Sequence, residues 1–327
     1  MTTPTLSVVI CSYTMARWDD VRAALASVRA QQRPPEEVVL VVDHCPELAE
    51  RLARHDPDAR LVLSAERPGV SGARNTGLAA ASGEILAFLD DDAVAEPDWT
   101  RQLLAPYRDP AVLGVGGLVT SWWERGRPGW FPPEFDWVVG CSYPGSPEHT
   151  SAVRNFIGAN MSFRRAAVVA AGGFRSDLGR VGTSPYGCEE TELCLRLTAL
   201  HPGAELRYEP SAVVRQHVPP ARAKVSYFVS RCYAEGRSKA RVAGYTGTRS
   251  ALASERRYLR RTIPAAFGRS LGQRRWAAAG ALLGGVSATV VGYAGGRLAP
   301  GVRPVAAPAR PEPEAEPVSP AARGRTT

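Results

Sequence analysis

Short apolar runs alternate with amphipathic or small-residue stretches along the first third of the chain. The runs are unbroken, like strands buried on both faces of a parallel sheet, and lie at Leu6 to Ile10, Val38 to Val42, Leu61 to Leu63 and Ile85 to Leu89. The stretches between them predict helices that begin near Asp19, at Pro46 and at Gly69. This alternation is typical of parallel β/α units, with right-handed crossovers and helices on both faces of one sheet.

The pattern is less regular in the remainder of the chain. Further elements are predicted as strands at Val112 to Val119 and Glu205 to Val213, and as helices at Arg164 to Ala171, from Cys188 onward and at Ser226 to Val242. Between Ser121 and Tyr143, tryptophans are interspersed with prolines. Such a loop either covers the core or forms a binding wall, and aromatic rings serve both purposes, so both interpretations stand.

Three consecutive carboxylates, Asp90, Asp91 and Asp92, follow the fourth apolar run directly. Ligands of open α/β sheets bind at the carboxyl ends of the strands, where these acids lie. Adjacent carboxylates repel one another unless a cation lies between them, and Mg²⁺ and Mn²⁺ prefer oxygen ligands. We therefore predict a divalent metal site here. The alternative is a solvated acidic turn before the helix near Asp98.

A second acidic pair, Glu189 and Glu190, opens a predicted helix just after a glycine-rich loop. Acids are favoured at helix N-termini by the helix dipole, so the pair has a purely structural interpretation. A carboxylate beside a flexible loop is also a common setting for a general base. His217 stands alone after the last predicted strand, and a lone histidine is more often structural than a ligand.

Composition and charge narrow the class of protein. The chain has 327 residues, 44% hydrophobic and 22% charged, which is typical of globular proteins. Its net charge of +8 includes an arginine-rich block late in the chain, between residues 256 and 275. A local block favours an anionic surface, such as a membrane, over a nucleic-acid-binding fold. No GxGxxG follows the first strand and no GxxxxGK[ST] occurs, which removes the usual support for dinucleotide and P-loop folds.

The cysteines and the N-terminus indicate a reducing compartment. Cys11, Cys45, Cys141, Cys188, Cys194 and Cys232 form no CxxC pair and no cluster with zinc spacing. Free thiols are typical of the cytosol. A strand begins almost at once, without a basic region and an apolar signal core. We therefore expect the catalytic part to be cytoplasmic.

The C-terminal third predicts a helical extension and a tail. Residues 277–296 carry no charge. The length of this uncharged stretch is near that of a membrane span. Glycines weaken the hydrophobic drive but fit close helix packing, so a span and a membrane-surface or core helix both remain open. Residues 300–327 are rich in Pro, Ala and Arg and are predicted to be disordered. The expected domains are 1–222 (catalytic), 223–276 (basic helical extension), 277–299 (membrane-associated or transmembrane helix) and 300–327 (disordered tail).

Several pieces of the chain, in order, resemble the family 2 inverting glycosyltransferases. The early pieces are Ser7 to Tyr13, Ala24 to Gln32, Glu37 to Asp43, Gly72 to Gly77 and Leu89 to Asp92. The late ones are Gly158 to Met161 with Phe163 to Arg165, Gly172 to Phe174 and Glu189 to Leu193. Each piece alone is weak, but the ordered set is specific over about residues 5–220. The resemblance implies the nucleotide-diphospho-sugar transferase (GT-A) fold for the catalytic domain, 1–222, with a mixed, mostly parallel sheet and helices on both faces.

The resemblance also implies roles for individual residues. Cys11, Ser12, Tyr13 and Asp43 would hold the nucleoside, Arg74 the nucleotide or its diphosphate, Asp90 the ribose or sugar, and Asp91 would belong to the same donor site. Asp92 would bind a Mn²⁺ or Mg²⁺ ion that bridges both phosphates, with His217 as a further metal or diphosphate contact. Glu190 occupies the place of the catalytic base, with Glu189 as its rival.

Two departures from the family pattern bear on specificity. His44 stands where a second acid often reads the base, so the expectation of a UDP-sugar donor is weaker. Glu190 stands where the family has Asp, one methylene shorter, so the acceptor hydroxyl must lie slightly further away. Inverting transfer in a single displacement needs no nucleophile, and none is evident.

The segment Arg231 to Ala240, the opening Cys11 to Met15 and Phe135 to Cys141 resemble an actinobacterial and archaeal group similar to dolichyl-phosphate-glucose glucuronosyltransferases. This implies a lipid-linked or cell-surface glycan as acceptor and work at the cytoplasmic face of the membrane. Gln273 to Trp276 is one residue short of the QxxRW motif of processive synthases, so we expect transfer of a single sugar. Arg231, Arg237 and Lys239 would face an acceptor phosphate, or else form a solvated helix face. A nucleotidyltransferase would need a glycine-rich loop with a lysine after the first strand, which is absent. A non-catalytic glycan- or partner-binding module remains the alternative function.

Overall fold

A computed structural model describes residues 3–56, 59–182, 184–247 and 252–298. Its strands are β1 Leu6–Ser12, β2 Glu37–Val42, β3 Arg60–Leu63, β4 Ile85–Asp90, β5 Ala93–Ala95, β6 Val112–Trp123, β7 Ser151–Ala152, β8 Asn160–Arg164 and β9 Glu205–Val218. Its first helices are α1 Trp18–Arg29, α2 Pro46–His55, α3 Val70–Ala80, α4 Trp99–Leu104, α5 Arg165–Ala170 and α6 Glu189–Leu200. The predicted alternation of strands and helices is confirmed.

The described strands form one mixed sheet in the order β3-β2-β1-β4-β8-β6-β9-β5, with β7 paired to β9. Strands β1 to β4 are parallel, whereas β8 runs antiparallel to both β4 and β6. In the register of β1, Cys11 lies opposite both Val41 and Asp90. The carboxyl ends of β1, β2 and β4 therefore meet at one edge, as expected for parallel strands, and this edge positions the site.

Alternation along the central strands sends side chains into two separate cores. On one face, Val8 packs with the helices α1, α2 and α4. On the other face, Val9 packs with α3, α5 and α6. Adjacent strand residues point to opposite faces, so helices cover both faces of the sheet, as the sequence predicted.

The aromatic segment after β6 packs inward. Trp130, Phe131 and Phe135 form ring contacts with Phe228 at centroid distances of 5.1 to 5.5 Å. Such ring pairs add to the burial of apolar area. Phe135 also lines the large cavity described below. The segment is therefore a packed cover whose inner residues also form part of a cavity wall.

The predicted C-terminal helical extension is present. It consists of α7 Val225–Thr246, α8 Ala253–Arg257, a π-helical turn at Tyr258–Thr262, α9 Ile263–Gly272 and α10 Trp276–Leu298. Helices α7 and α10 touch through glycines, because a Cβ on Gly236 would lie 2.0 Å from the Thr289 carbonyl and one on Gly292 2.0 Å from that of Tyr233. Within the described residues, α10 is the one helix that is long and apolar enough to cross a membrane, by length and composition. The predicted tail, 300–327, lies outside the described residues.

Strand β9 is longer than predicted. It continues past Val213 to Val218 and pairs with β6, so that Trp122 lies opposite His217. His217 is therefore a strand residue and not part of a loop after the strand. Because strand side chains alternate, Gln216 and His217 must point to opposite faces.

Candidate active site

One cavity of about 690 Å³ lies at the carboxyl edge of the sheet. Its floor is formed by the ends of β1 and β4 and by α3, and one side by the start of α6. The C-terminal extension closes it from above with residues of α7, the π-helical turn and α10. Most of the residues predicted for the site line this cavity; the ones that do so are Cys11, Ser12, Tyr13, Asp43, Arg74, Asp90, Asp91, Asp92, Glu189 and Glu190.

The three aspartates each have different partners. Asp90 accepts a bond from Arg74 at 3.2 Å, and its side chain is 38% exposed to the cavity. Asp91 accepts from the Ser12 hydroxyl at 2.6 Å and pairs with Arg17. Asp92 pairs with Arg222 at 2.9 Å and with Arg17 at 3.2 Å. Cations of this chain therefore neutralise the acidic cluster.

The electrostatics of the cluster follow from burial and these pairs. Burial, together with the neighbouring Asp92 charge, raises the pKa of Asp91 to about 7 against the opposing effect of Arg17. Burial would also raise the pKa of Asp92, but Arg222 and Arg17 outweigh it and the pKa is lowered. The ionised form of Asp92 is thus the favoured one, which a metal ligand requires.

Gln216, rather than His217, points toward the acidic cluster. The Gln216 amide nitrogen donates to Asp92, while its amide oxygen is buried without a partner. The His217 imidazole instead contacts Asp20 at 2.8 Å and Glu124 at 3.3 Å and is not part of the cavity lining. Its placement gives no support to the expectation that His217 binds the metal, and the alternation along β9 is the reason.

The oxygen-rich edge fits a hard divalent cation in its chemistry. Asp90, Asp92 and the unpartnered amide oxygen of Gln216 are the ligand types that Mg²⁺ and Mn²⁺ prefer. Among the described residues, no three His, Cys, Asp or Glu side chains already surround one ion position. Arg17 and Arg222 lie against the carboxylates in this arrangement, so these guanidinium groups must give way when an ion binds.

Arg74 connects the acidic cluster to the start of α6. One guanidinium nitrogen donates to Glu189 at 2.7 Å, and the other donates to Asp90 and to the Gly158 carbonyl at 3.2 and 3.3 Å. The guanidinium is fully buried and also stacks near Phe88 and Phe174. Asn75 next to it exchanges two hydrogen bonds with the backbone of Phe174, which joins the Arg-Asn and Gly-Gly-Phe segments.

Glu190 is the acid of its pair that has no cationic partner. Its side chain accepts from the Thr191 hydroxyl at 3.3 Å, and no ion pair of this carboxylate is present among the described residues. Burial raises its pKa to about 8, with the Glu189 charge adding to the rise and Arg74 opposing it. A carboxylate with a pKa near neutrality is well suited to accept a proton.

The nucleoside residues predicted at the ends of β1 and β2 lie along one wall. Asp43 accepts from the Gly69 backbone at 2.8 Å and contacts His44 at 2.7 Å. Burial raises the pKa of Cys11 to about 12, so its thiol is neutral. Tyr13 is 40% exposed, and its ring lies 5.4 Å from the Arg17 guanidinium. An exposed ring beside an open acidic edge is a suitable surface for a planar base.

The cavity also contains residues that the sequence did not single out, from the loop before α6, the turn before α7 and α7 itself. Arg180, Arg222 and Tyr227 line the cavity, as do the predicted Arg231 and Lys239. Arg237, predicted alongside them, lies outside this cavity near the Tyr186 ring. Arg231 and Lys239 are eight residues apart on α7 and share a face of the helix. Arg237 lies on a different face. For Arg17, Arg180 and Arg222 no motif gave a signal.

The chain is similar to known proteins in sequence and in fold. A family model described as Glycosyl transferase family 2 matches residues 7–170. A glucosyl-dolichyl phosphate glucuronosyltransferase of Haloferax volcanii is 35% identical over 238 residues, 72% of this chain and 76% of the relative. The succinoglycan biosynthesis protein ExoM of Rhizobium meliloti is 26% identical over 245 residues, 72% of this chain and 74% of the relative.

Two solved structures share the fold. A mannosyltransferase of Pyrobaculum calidifontis in complex with GDP-Man and Mn²⁺ has a TM-score of 0.56 at 19% identity, over 89% of this chain and 88% of that one. GalNAc-T7 with UDP, GalNAc and Mn²⁺ has a TM-score of 0.52 at 17% identity, over 74% of this chain and 51% of that one. At these identities the likeness concerns the fold, and both of those proteins hold a manganese ion.

Proposed function

Because the chain belongs to glycosyl transferase family 2 and has the GT-A fold, we propose that it transfers one sugar, with inversion, from a nucleotide-diphospho-sugar to a hydroxyl of a lipid-linked glycan. The observation behind this proposal is that Glu190, a carboxyl group without a cationic partner, shares one cavity with the Asp90 to Asp92 cluster. An acceptor base and a diphosphate site are the two elements that such a transfer needs.

Donor binding is assigned to the carboxyl edge of the sheet. The nucleoside lies along Cys11 to Tyr13 and Asp43, and Arg74 contacts the nucleotide or its diphosphate. Asp92, with Asp90 and the Gln216 amide oxygen, holds Mn²⁺ or Mg²⁺, and Asp91 orients the edge through Ser12. When bound, the ion neutralises the leaving diphosphate as a Lewis acid. We keep a UDP-sugar as the first donor to test, although His44 replaces the second acid of the family pattern.

The reaction itself is assigned to Glu190. Its carboxylate accepts the proton of the acceptor hydroxyl while that oxygen attacks the anomeric carbon and the nucleoside diphosphate leaves from the opposite side. A single displacement of this kind inverts the anomeric centre. Glu189 is bonded to Arg74 and therefore positions this arginine, so the base is Glu190 and not its neighbour.

The acceptor is assigned from the relatives and from the extension. A relative that is 35% identical is named for transfer to a glucosyl-dolichyl phosphate, and α10 is apolar enough to meet a membrane. A lipid-linked glycan at the cytoplasmic face of the cell membrane satisfies both observations. Arginines before α10, including Arg256, Arg257, Arg260, Arg261, Arg274 and Arg275, would meet anionic headgroups there.

A nucleotide-release assay tests the function. Purified full-length protein is given UDP-, GDP- or dTDP-sugars with Mn²⁺ or Mg²⁺, with and without a polyprenyl-phosphate glycan. Release of one nucleotide that needs the acceptor, and that is lost on chelation and in Asp92→Asn, supports the proposal. Glu50→Gln, a substitution on the exposed face of α2, serves as the matched control.

Absence of release from every donor, together with absence of UDP binding in the presence of Mn²⁺, would overturn the proposal. Binding of UDP without any release would point to a different acceptor. The alternative function, a non-catalytic binding module, requires that Asp92→Asn and Glu190→Gln both leave the cellular function intact.

A further inference from the structure

Three arginines surround one tyrosine in the upper part of the cavity. Arg180, Arg222 and Arg231 all line it, as does Tyr227. Burial alone would raise the pKa of Tyr227, but the three guanidinium charges outweigh it and the pKa is lowered. The hydroxyl is buried without a well-formed hydrogen bond among the described residues, and Arg180 lies near enough to interact with it as a hydrogen-bond donor. Positive charge is therefore concentrated around a buried tyrosine hydroxyl.

The acids nearby do not neutralise this charge fully. Arg231 pairs with Glu235 at 2.8 Å, yet its Nε is buried without a partner. Arg222 pairs with Asp92 at 2.9 Å. Arg180 has no carboxylate within 4 Å among the described residues, although every other described arginine of the cavity lining does. Burial, with repulsion from Arg231 and Arg222, lowers the pKa of Arg180 against the opposing effects of Tyr227 and Asp90.

The backbone holds Arg180 in place before any ligand arrives. Its carbonyl accepts from the Val70 backbone at 2.9 Å, and the neighbouring Leu178 carbonyl accepts from the Ser71 hydroxyl at 2.8 Å. A Cβ on Gly69 would lie 2.8 Å from the Arg180 carbonyl, so the glycine permits this close approach. The loop is thus fastened to the N-terminus of α3, and the guanidinium requires less ordering when an anion binds.

An apolar wall continues from the same cluster. Leu259 of the π-helical turn and Val286 and Val290 of α10 line the cavity together with the arginines. Outside the cavity, α10 exposes Leu283 and Val291 to solvent at 54% and 60%. A charged end beside an apolar wall, on a helix that is apolar outward as well, matches a ligand with an anionic head and a hydrocarbon chain.

We propose that Arg180, Arg222 and Arg231, with the Tyr227 hydroxyl, form a phosphate subsite that binds the prenyl-phosphate end of the acceptor. The inference deepens the proposed function and rests on it for the role of this ligand as acceptor. Guanidinium groups bind phosphate in a bidentate manner and the tyrosine donates a further hydrogen bond. The donor diphosphate is the other source of the same chemistry, and Arg222, which contacts Asp92, is the residue that borders both.

The test measures binding of two small probes to the full chain. Farnesyl phosphate and farnesol differ only in the phosphate, so the ratio of their dissociation constants isolates its recognition. Wild-type protein should bind farnesyl phosphate at least about tenfold more tightly than farnesol, because one charge-assisted hydrogen bond has an effect of this size. Arg180→Gln should lose most of this ratio and Arg180→Lys should retain part of it, while the dissociation constant of UDP with Mn²⁺ stays within about twofold. Arg237→Gln is the control, because it removes one charge from α7 outside this cavity.

Three results would overturn the inference. The first is equal binding of farnesol and farnesyl phosphate by the wild type, and the second is an unchanged ratio in folded Arg180→Gln. The third is weaker UDP binding by Arg180→Gln with an unchanged ratio of the farnesol and farnesyl phosphate dissociation constants. That result would mean that the arginines bind the donor diphosphate. If Arg180→Gln fails to fold, as judged by thermal melting, Tyr227→Phe takes its place and should lower the ratio about threefold. Selective phosphate binding without nucleotide release and without UDP binding would instead overturn the proposed function and leave the phosphate subsite supported.

Discussion

Arg74 donates to Glu189 at 2.7 Å, and both side chains are buried where α3 meets the start of α6. This ion pair separates the roles of two adjacent acids. Glu189 is neutralised by the Arg74 guanidinium. Glu190 lacks such a partner and its pKa is raised to about 8. A buried ion pair loses much when one partner is removed, because the other charge is left uncompensated.

We predict different kinetic effects for the two glutamates. Glu190→Gln should lower kcat about 10² to 10⁴-fold, the range of general-base catalysis, with little change in donor binding. Glu189→Gln should weaken donor binding as well, because Arg74 loses the carboxylate that holds it. Steady-state kinetics and UDP binding on both variants separate these effects. Equal kcat losses with donor binding intact in both would contradict the assignment.

The pH dependence of the reaction should report the same group. A base works when it is deprotonated, so kcat/KM should rise with pH through the pKa of Glu190 in the free enzyme, about 8. The groups that act on it are Glu189 and Glu235, which raise the pKa, and Arg74, which lowers it. A pH–rate profile from pH 6 to 10 provides the check. A profile that is flat above pH 6, with Glu190→Gln inactive, would show that the pKa is not raised in solution.

The contribution of Glu190 to the stability of the folded state should fall as the pH rises, the opposite of the trend expected for kcat/KM. The pKa of Glu190 is higher in the folded state than its ordinary value of 4.5, so the folded state holds the proton more tightly. This contribution is present at low pH and is lost as the pH rises from about 4.5 to about 8. Glu190→Gln should therefore raise the melting temperature relative to wild type at pH 9 and change it less at pH 5. A larger gain at pH 5 than at pH 9 would contradict this sign.

The proposed metal site can be tested by comparing two neighbouring residues of β9, Gln216 and His217. We expect Gln216→Ala to weaken Mn²⁺ binding in the presence of UDP, because the Gln216 amide lies against Asp92. His217→Ala should leave Mn²⁺ binding unchanged, because its ring contacts Asp20 and Glu124 instead. Mn²⁺ titration followed by electron paramagnetic resonance measures both. If His217→Ala alone lost Mn²⁺, the assignment from the family resemblance would stand and ours would fail.

Packing of the extension can be tested with two glycines of the same helix. Gly292→Ala should destabilise the docking of α10 on α7 by about 1 to 3 kcal/mol, since its Cβ would meet backbone at 2.0 Å. Gly280→Ala meets nothing within 4 Å, so helix propensity should make it neutral or stabilising by up to about 1 kcal/mol. Limited proteolysis and thermal melting in mild detergent compare the two. Similar effects of both substitutions would mean that α10 does not pack on α7 in solution.

Much of the fold and part of the site were predictable because they depend on local signals. Apolar runs such as Val38 to Val42 specify buried strands, and the acids that follow Leu89 must lie at the carboxyl edge once the strands are parallel. Glu189 and Glu190 were placed at a helix start by sequence alone. The ordered motifs then identified the family, because each one combines a local structure with a fixed place along the chain.

Other features depend on contacts between distant residues, and only the tertiary structure decided them. The register of β9 against β6 placed Gln216 in the site and His217 outside it, and a strand shift of one residue would reverse this. The pairing of Arg74 with Glu189 spans 115 positions, so no local spacing could have separated the two acids. Arg17, Arg180 and Arg222 come from three unrelated segments. The sequence by itself therefore determined the sheet, its acidic edge and the family, whereas folding decided which polar side chains share the cavity, because that choice depends on long-range packing and charge.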